Sequence, residues 1–406
     1  MTADARSLGS GLSRRSAVAG CLAAALTVAA GGVGAAEAAT APTRTATGPL
    51  PPRRTAVGPL PPLDGVALRA AISDLAHPAA TSAQLRVGGS GGRWYGVAGV
   101  ADTVSGRSVR PSDRFRAGSV NKAFVATVVL QLVAQRRIGL DDPIGRHLPG
   151  WWLPPDFAGI TVAQLLNHTS GLPDHRDLPD LSTPEAVVRH RFDRWTPRRW
   201  VDTVVQDPLK FRPGTAQEYR GINYVLLALL IQEVTGQHYG AAIRTRLLCP
   251  LGLDRTLVPG DDPRLHGPQV RGYLRMTDGS LRDITTYNMS SAWGEGELVS
   301  SVDDLYRFSQ ALFFGVLLPP HIMDVLFTLP PDHVRMLDGT PARYSMGLQK
   351  ATAKGTTFWG KTGETYGYRT RMFSTRDGQR HFVLSYTPTP LDSAQDMTGR
   401  VVAALA

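Results

Sequence analysis

The stretch GSVNKAFVATVVLQLVAQRRIG, Gly118 to Gly139, is apolar nearly all the way round a helical turn. A surface helix carries one apolar stripe, so a run without a polar face predicts a buried helix. Lys122 is its only charge before Arg136, and it stands three residues after Ser119, on the same face. Ser119 opens the helix, where free amides and the positive end of the helix dipole gather. Arg136 and Arg137 suit the last turn, and Gly139 the stop. A serine beside a buried lysine can lose its proton to that lysine and attack a carbonyl. On a solvated helix, a serine cap and a surface lysine would explain the same letters. Here the apolar surroundings leave Lys122 little surface to reach.

Outward from this helix, strand signals lie at both ends of the chain. AQLRVGGSGGRWYGVAGVAD, Ala83 to Asp102, reads as two strands around a glycine turn. TTFWGKTGETYGYRTRMFSTRDGQRHFVLSYT, Thr356 to Thr387, returns to strands with a hairpin turn at Asp377-Gly378. Between them, roughly over 123–262, helical stretches alternate with proline-rich loops. NYVLLALLIQEVTG, Asn223 to Gly236, is the clearest of these helices. The order predicts an α/β domain, an antiparallel sheet flanked by helices with an inserted helical part.

The whole chain has 406 residues, 42% hydrophobic and 19% charged, an ordinary globular balance with room for a large core. Its net charge is +10, and no Lys/Arg run is long enough for a nucleic-acid arm. A basic surface of this kind tolerates polyanions such as cell-wall polymers. Residues 1–39 read as an export signal: Arg14-Arg15, an apolar run, then small residues around Ala36–Ala38. The twin arginines favour that export route, with general secretion as the rival. The apolar run is short for a membrane span, and Cys21 lies within it instead of behind it, against lipidation. The expected product is secreted or cell-wall associated, with no membrane span in the mature chain. It keeps Cys249 alone, so no disulfide within the chain. Residues 40–63 form a linker in which TATGPLPP recurs as TAVGPLPP, sequence that favours extended polyproline II. The folded domain is expected over 64–406.

Two short patterns mislead. Gly355 to Thr362, GTTFWGKT, matches a phosphate loop, but bulky strand residues fill its middle and strand follows instead of helix. Gly88 to Gly92, GGSGG, matches a nucleophile elbow, but Ser90 lies between two strands and belongs to a hairpin turn. Two further elements fit the serine–lysine pair. Tyr219 precedes a helix in PGTAQEYRGINY, and Lys361-Thr362-Gly363 lies on a strand. Packing would explain the tyrosine and a solvated edge the lysine; the order of all three elements points instead to one site.

In that order the chain resembles the penicillin-recognising serine hydrolases, namely class C β-lactamases and secreted D-alanyl-D-alanine carboxypeptidases. The resemblance runs from about Asp64 to the C-terminus. DRFRAGSVNK, ITVAQLLNHTSGLPDH, PGTAQEY, GELVSSVDDLYRFSQAL and KTGETYGYRTRMF carry it. It implies the β-lactamase/transpeptidase-like fold and an exported serine hydrolase, carboxypeptidase-like by default. The alternatives on the same fold are a β-lactamase, an esterase or D-amino amidase, or a penicillin-binding protein with little turnover. The implied substrate is a small molecule or a peptidoglycan peptide, with no cofactor and no metal. Ser119 would be the nucleophile, and Lys122 and Tyr219 would share the acid–base work, either of them taking the serine proton. Lys361, Thr362, Gly363 and Glu364 would bind substrate, the Ser119 and Glu364 amides forming the oxyanion hole. His168 would be structural. Three departures fall on substrate recognition. Gly221 stands where the family's Y-x-N triplet has asparagine, Gln349 where the carboxypeptidases have arginine, and Glu364 where a hydroxyl residue is usual. Glu364 is expected to repel a substrate carboxylate, unless Arg369 or Arg371 pairs with it.

Overall fold

The computed structural model describes residues 60–392 and 395–405. The export-signal reading of 1–39, and the linker up to residue 59, lie outside these. Helix α1 (Gly65–Ser73) starts on Asp64, whose carboxylate accepts from the amides of Val66 and Ala67. Strands β1 (Ala80–Gly89) and β2 (Trp94–Gly99) form the first hairpin. Near the other end run β3 (Gln349–Ala353), β4 (Thr356–Thr365), β5 (Tyr368–Ser374) and β6 (Arg380–Pro388). These six make one antiparallel sheet in the order β2-β1-β6-β5-β4-β3. The two ends of the domain therefore meet at its centre, with Leu85 opposite Leu384.

Period-two alternation divides the side chains of this sheet between two cores. Leu85, Phe358, Phe373 and Phe382 pack with Leu68 and Ile72 of α1 and with Val401 of the C-terminal helix (Thr398–Leu405). Trp359 and Met372, one residue along, turn to the opposite core. The same alternation puts Lys361 and Gly363 on that second face, where the nucleophile helix lies.

Helix α2 (Asn121–Ala134) is buried on every side for most of its length, as its composition predicts. It packs on α3 (Ile222–Thr235), and Phe124 stacks on Phe308 of α4 (Val302–Phe313) at 3.7 Å. Full burial of one such side chain is worth about 1.5–3 kcal/mol. The predicted stop at Gly139 is late. The helix ends at Gln135, and Arg136 itself turns out of it at φ +56°. Helix α3 does end on its glycine, Gly236, at φ +68°. Ser90 lies just after β1 and hydrogen-bonds Gln379 across the hairpin ends at 3.3 Å, so its hydroxyl is turn chemistry. The phosphate-loop match lies in a turn and in β4.

Candidate active site

Ser119 sits in a short 3₁₀ turn (Gly118–Val120) that leads directly into α2. Gly118 takes φ +57°, a conformation that favours glycine. A Cβ there would stand 2.7 Å from the Glu364 amide nitrogen, and one on Gly363 would stand 1.9 Å from the Ala117 carbonyl oxygen. The absence of both side chains lets β4 lie against the nucleophile turn, with the Glu364 amide beside it. Gly296 closes the same corner, its Cβ position 3.8 Å from the Ser119 amide nitrogen.

Lys122 is fully buried. Its Nζ donates to Ser119 Oγ at 3.1 Å, to the Glu295 carbonyl at 2.9 Å and to Glu295 Oε2 at 3.1 Å. Burial alone would push this ammonium down. The facing Tyr219 hydroxyl and Glu295 carboxylate outweigh it and hold the pKa above the usual lysine value.

Tyr219 lies between two cations, Lys122 Nζ 5.1 Å and Lys361 Nζ 4.6 Å from its ring centroid. Burial pushes the phenol up, but these two cations prevail and bring its pKa below 10. The same burial lowers Lys361, with Lys122 adding to it. The Tyr219 hydroxyl faces Ser119, Lys122 and Lys361 without closing a well-formed hydrogen bond to any. Such contacts commonly tighten only when substrate arrives.

His168 holds the tyrosine in place. Its carbonyl accepts from the Glu218 amide at 3.0 Å and its Nδ1 from the Arg220 amide at 3.2 Å, one bond on each side of Tyr219. The two rings pack at 4.6 Å. Burial, with Lys122 and Lys361 adding to it, keeps His168 well below the usual histidine range, so its Nδ1 stays an acceptor.

Glu364 departs from expectation. Its carboxylate pairs with Arg371 at 2.8 Å and Arg369 at 3.3 Å, and Arg371 also pairs with Asp396. The reading of Glu364 as a free charge against substrate is corrected: cross-strand arginines neutralise it. Thr362 offers its carbonyl to Lys361 Nζ at 3.1 Å. Glu295 is the residue that sequence reasoning missed. Its one signal is GEGE, Gly294 to Glu297, two acids among glycines just before β-bridge residues and α4.

Beside the Glu364 end of β4 opens a groove of about 560 Å³, whose lining mixes aromatics such as Trp195, Trp200 and Tyr287 with charged side chains such as Asp193, Arg369 and Asp392. Chemically, the centre offers an alcohol, a depressed phenol, two lysines and two backbone amides near one point. That set can pass a proton and stabilise an oxyanion.

The comparisons agree with this geometry. A family model described as Beta-lactamase matches residues 68–406. The putative penicillin-binding protein PbpX of Bacillus subtilis is 29% identical over 62% of this chain and 58% of its own length. The chain spans about three fifths of the curated relatives it matches. Among solved structures, a D-stereospecific amidohydrolase from Streptomyces is 31% identical with a TM-score of 0.72, over 84% of this chain and 98% of that one. A D-amino acid amidase from Ochrobactrum anthropi, complexed with L-phenylalanine amide, is 25% identical with a TM-score of 0.69, over 84% and 97%. With the fold, the matched span and these likenesses together, the chain belongs to the beta-lactamase family, in the serine hydrolase superfamily of the penicillin-binding proteins.

Proposed function

We propose that the protein hydrolyses amides of D-amino acids through an acyl-enzyme at Ser119. Tyr219 takes the Ser119 proton as Oγ adds to the carbonyl carbon. The oxyanion rests on the Ser119 and Glu364 amides. Tyr219 returns the proton to the departing amine as the C–N bond breaks, and water then cleaves the ester by the reverse proton path. Lys122 and Lys361 stay cationic and stabilise the phenolate form of Tyr219 before it takes the proton and again after it has given the proton up.

One observation carries the substrate choice. Arg369, which lines the groove, pairs with Glu364, and the buried Arg371 pairs with Glu364 and Asp396, so neither is free for a carboxylate beside the scissile bond. The likeness to the D-stereospecific amidohydrolase and the D-amino acid amidase supports an amide of a D-amino acid. We also propose that the protein is exported, on the strength of Arg14-Arg15 and the apolar run that follows them. A second reading, carboxypeptidase action on D-Ala-D-Ala ends, is favoured by Lys361, a buried cation with no carboxylate partner among the described residues.

The test is kcat/KM on D-phenylalanine amide, L-phenylalanine amide and a diacylated lysyl-D-Ala-D-Ala peptide. At least a tenfold preference for the D-amide over both others is expected. Faster cleavage of the peptide would install the second reading.

A further inference from the structure

Gly221 has no side chain, and another residue fills its place. A Cβ on Gly221 would stand 1.7 Å from Glu295 Oε2 and 2.6 Å from Oε1. That carboxylate comes from a distant loop and reaches Lys122 from there. Lys122 Nζ is 3.1 Å from both Ser119 Oγ and Glu295 Oε2, so a single ammonium separates the carboxylate from the nucleophile.

The two oxygens differ. Oε2 is committed to Lys122, while Oε1 has no hydrogen-bond partner among the described residues, and the side chain keeps 18% exposure. His175 lies within electrostatic range of Glu295, and its ring packs tilted on Trp200 with centroids 4.4 Å apart. Trp200 lines the groove. Ala292, three residues before Glu295, lines the same groove, so the Glu295 loop runs from the groove to the nucleophile's lysine. An amino acid amide held with its carbonyl carbon at Ser119 and its side chain in the groove carries its α-nitrogen on the atom between them. An anionic oxygen at that junction suits an ammonium and disfavours an acylated nitrogen, which has no charge to offer.

We propose that Glu295 is the specificity-determining residue of this site, holding Lys122 through Oε2 and binding the free α-ammonium of the substrate through Oε1. The proposal rests on the amide-hydrolase reading above and adds which amides are taken: those with a free amine, not the N-acylated ones found inside peptides.

The experiment compares D-phenylalanine p-nitroanilide with its N-acetyl derivative in the parent, Glu295→Gln, Gly221→Asn and Gly221→Asn/Glu295→Gly. In the parent the free amine should lead by thirtyfold or more in kcat/KM. In Glu295→Gln that ratio should fall at least tenfold, whatever happens to the absolute rates through Lys122. Gly221→Asn alone should depress both substrates, because its side chain and Glu295 claim one volume. Removing Glu295 as well should restore the N-acetyl rate at least tenfold over Gly221→Asn, without the amine preference. An unchanged ratio in Glu295→Gln, or a double variant no better than Gly221→Asn, would overturn the assignment. Acylation of the parent by p-nitrophenyl acetate separates the two levels. If Ser119 is never acylated, the amide-hydrolase reading itself fails. If it is acylated and the ratio ignores Glu295, only the present inference fails.

Discussion

Replacing Gly363 by alanine tests how the site is assembled without touching any group that moves a proton. The added Cβ would stand 1.9 Å from the Ala117 carbonyl oxygen and 3.1 Å from Val120 Cγ2. The first contact is with backbone, so no side chain can rotate away. Restoring an ordinary contact requires β4 and the nucleophile turn to separate by about 1.5 Å, and a shift of about 1 Å already costs about a hundredfold in a reaction that depends on alignment. Overpacking of this kind destabilises by about 1–3 kcal/mol. In a domain of this size that lowers the melting temperature by only a few degrees. The assay is the burst of p-nitrophenol from p-nitrophenyl acetate, read beside thermal unfolding. The expected outcome is a folded protein whose acylation rate has fallen about a hundredfold. A parent-like burst would show that the contact between β4 and Ala117 does not set the geometry of the oxyanion site.

Three further outcomes follow from the charges. Lys361→Met removes one of the two cations that lower the Tyr219 phenol, so the pH at which acylation reaches half its plateau should move upward. An unmoved profile would mean that Tyr219 is not the group that must lose its proton. Glu364→Gln frees Arg369, and cleavage of a D-Ala-D-Ala peptide should rise about tenfold while a neutral ester changes little, as expected for about 1.4 kcal/mol of added attraction. Equal effects on both substrates would leave Glu364 as a structural pair. His381 is buried against Tyr306, and burial, with Arg86 and Arg93 adding to it, pushes its pKa down to about 3. The unfolded chain binds this proton first, so the contribution is complete above about pH 6.5 and is lost as pH falls toward 3. Between pH 6.5 and 5, urea unfolding should show a loss of roughly 1.5–2 kcal/mol that His381→Gln lacks. An identical pH slope in parent and variant would contradict this.

The parts of the fold legible in sequence were those written in periodicity. A helix apolar on all sides, with one lysine a turn after a serine, has few places to go but the core, and α2 lies there with Lys122 fully buried. The alternating run through Lys361 read as a strand because bulky β-formers surround it, and alternation turned Lys361 and Gly363 toward α2. The end of α2 was misread because Arg136 adopts the left-handed conformation that a glycine was expected to supply. Side-chain pairing across the sheet left only a hint: Glu364 had two possible arginines, and it takes both. Glu295 was out of reach because its partner Gly221 is 74 positions away and is defined by what it lacks. Only the fold shows that one residue's carboxylate occupies another's missing side chain.

The proposed reaction passes through a covalent intermediate on Ser119, which intact mass spectrometry detects. The full chain is mixed with D-phenylalanine methyl ester, quenched in acid within seconds, weighed and then digested. One added D-phenylalanyl group is expected, located on the peptide that contains Ser119 and absent from Ser119→Ala. Turnover without any adduct, or an adduct on another residue such as Ser90 that persists in Ser119→Ala, would contradict it.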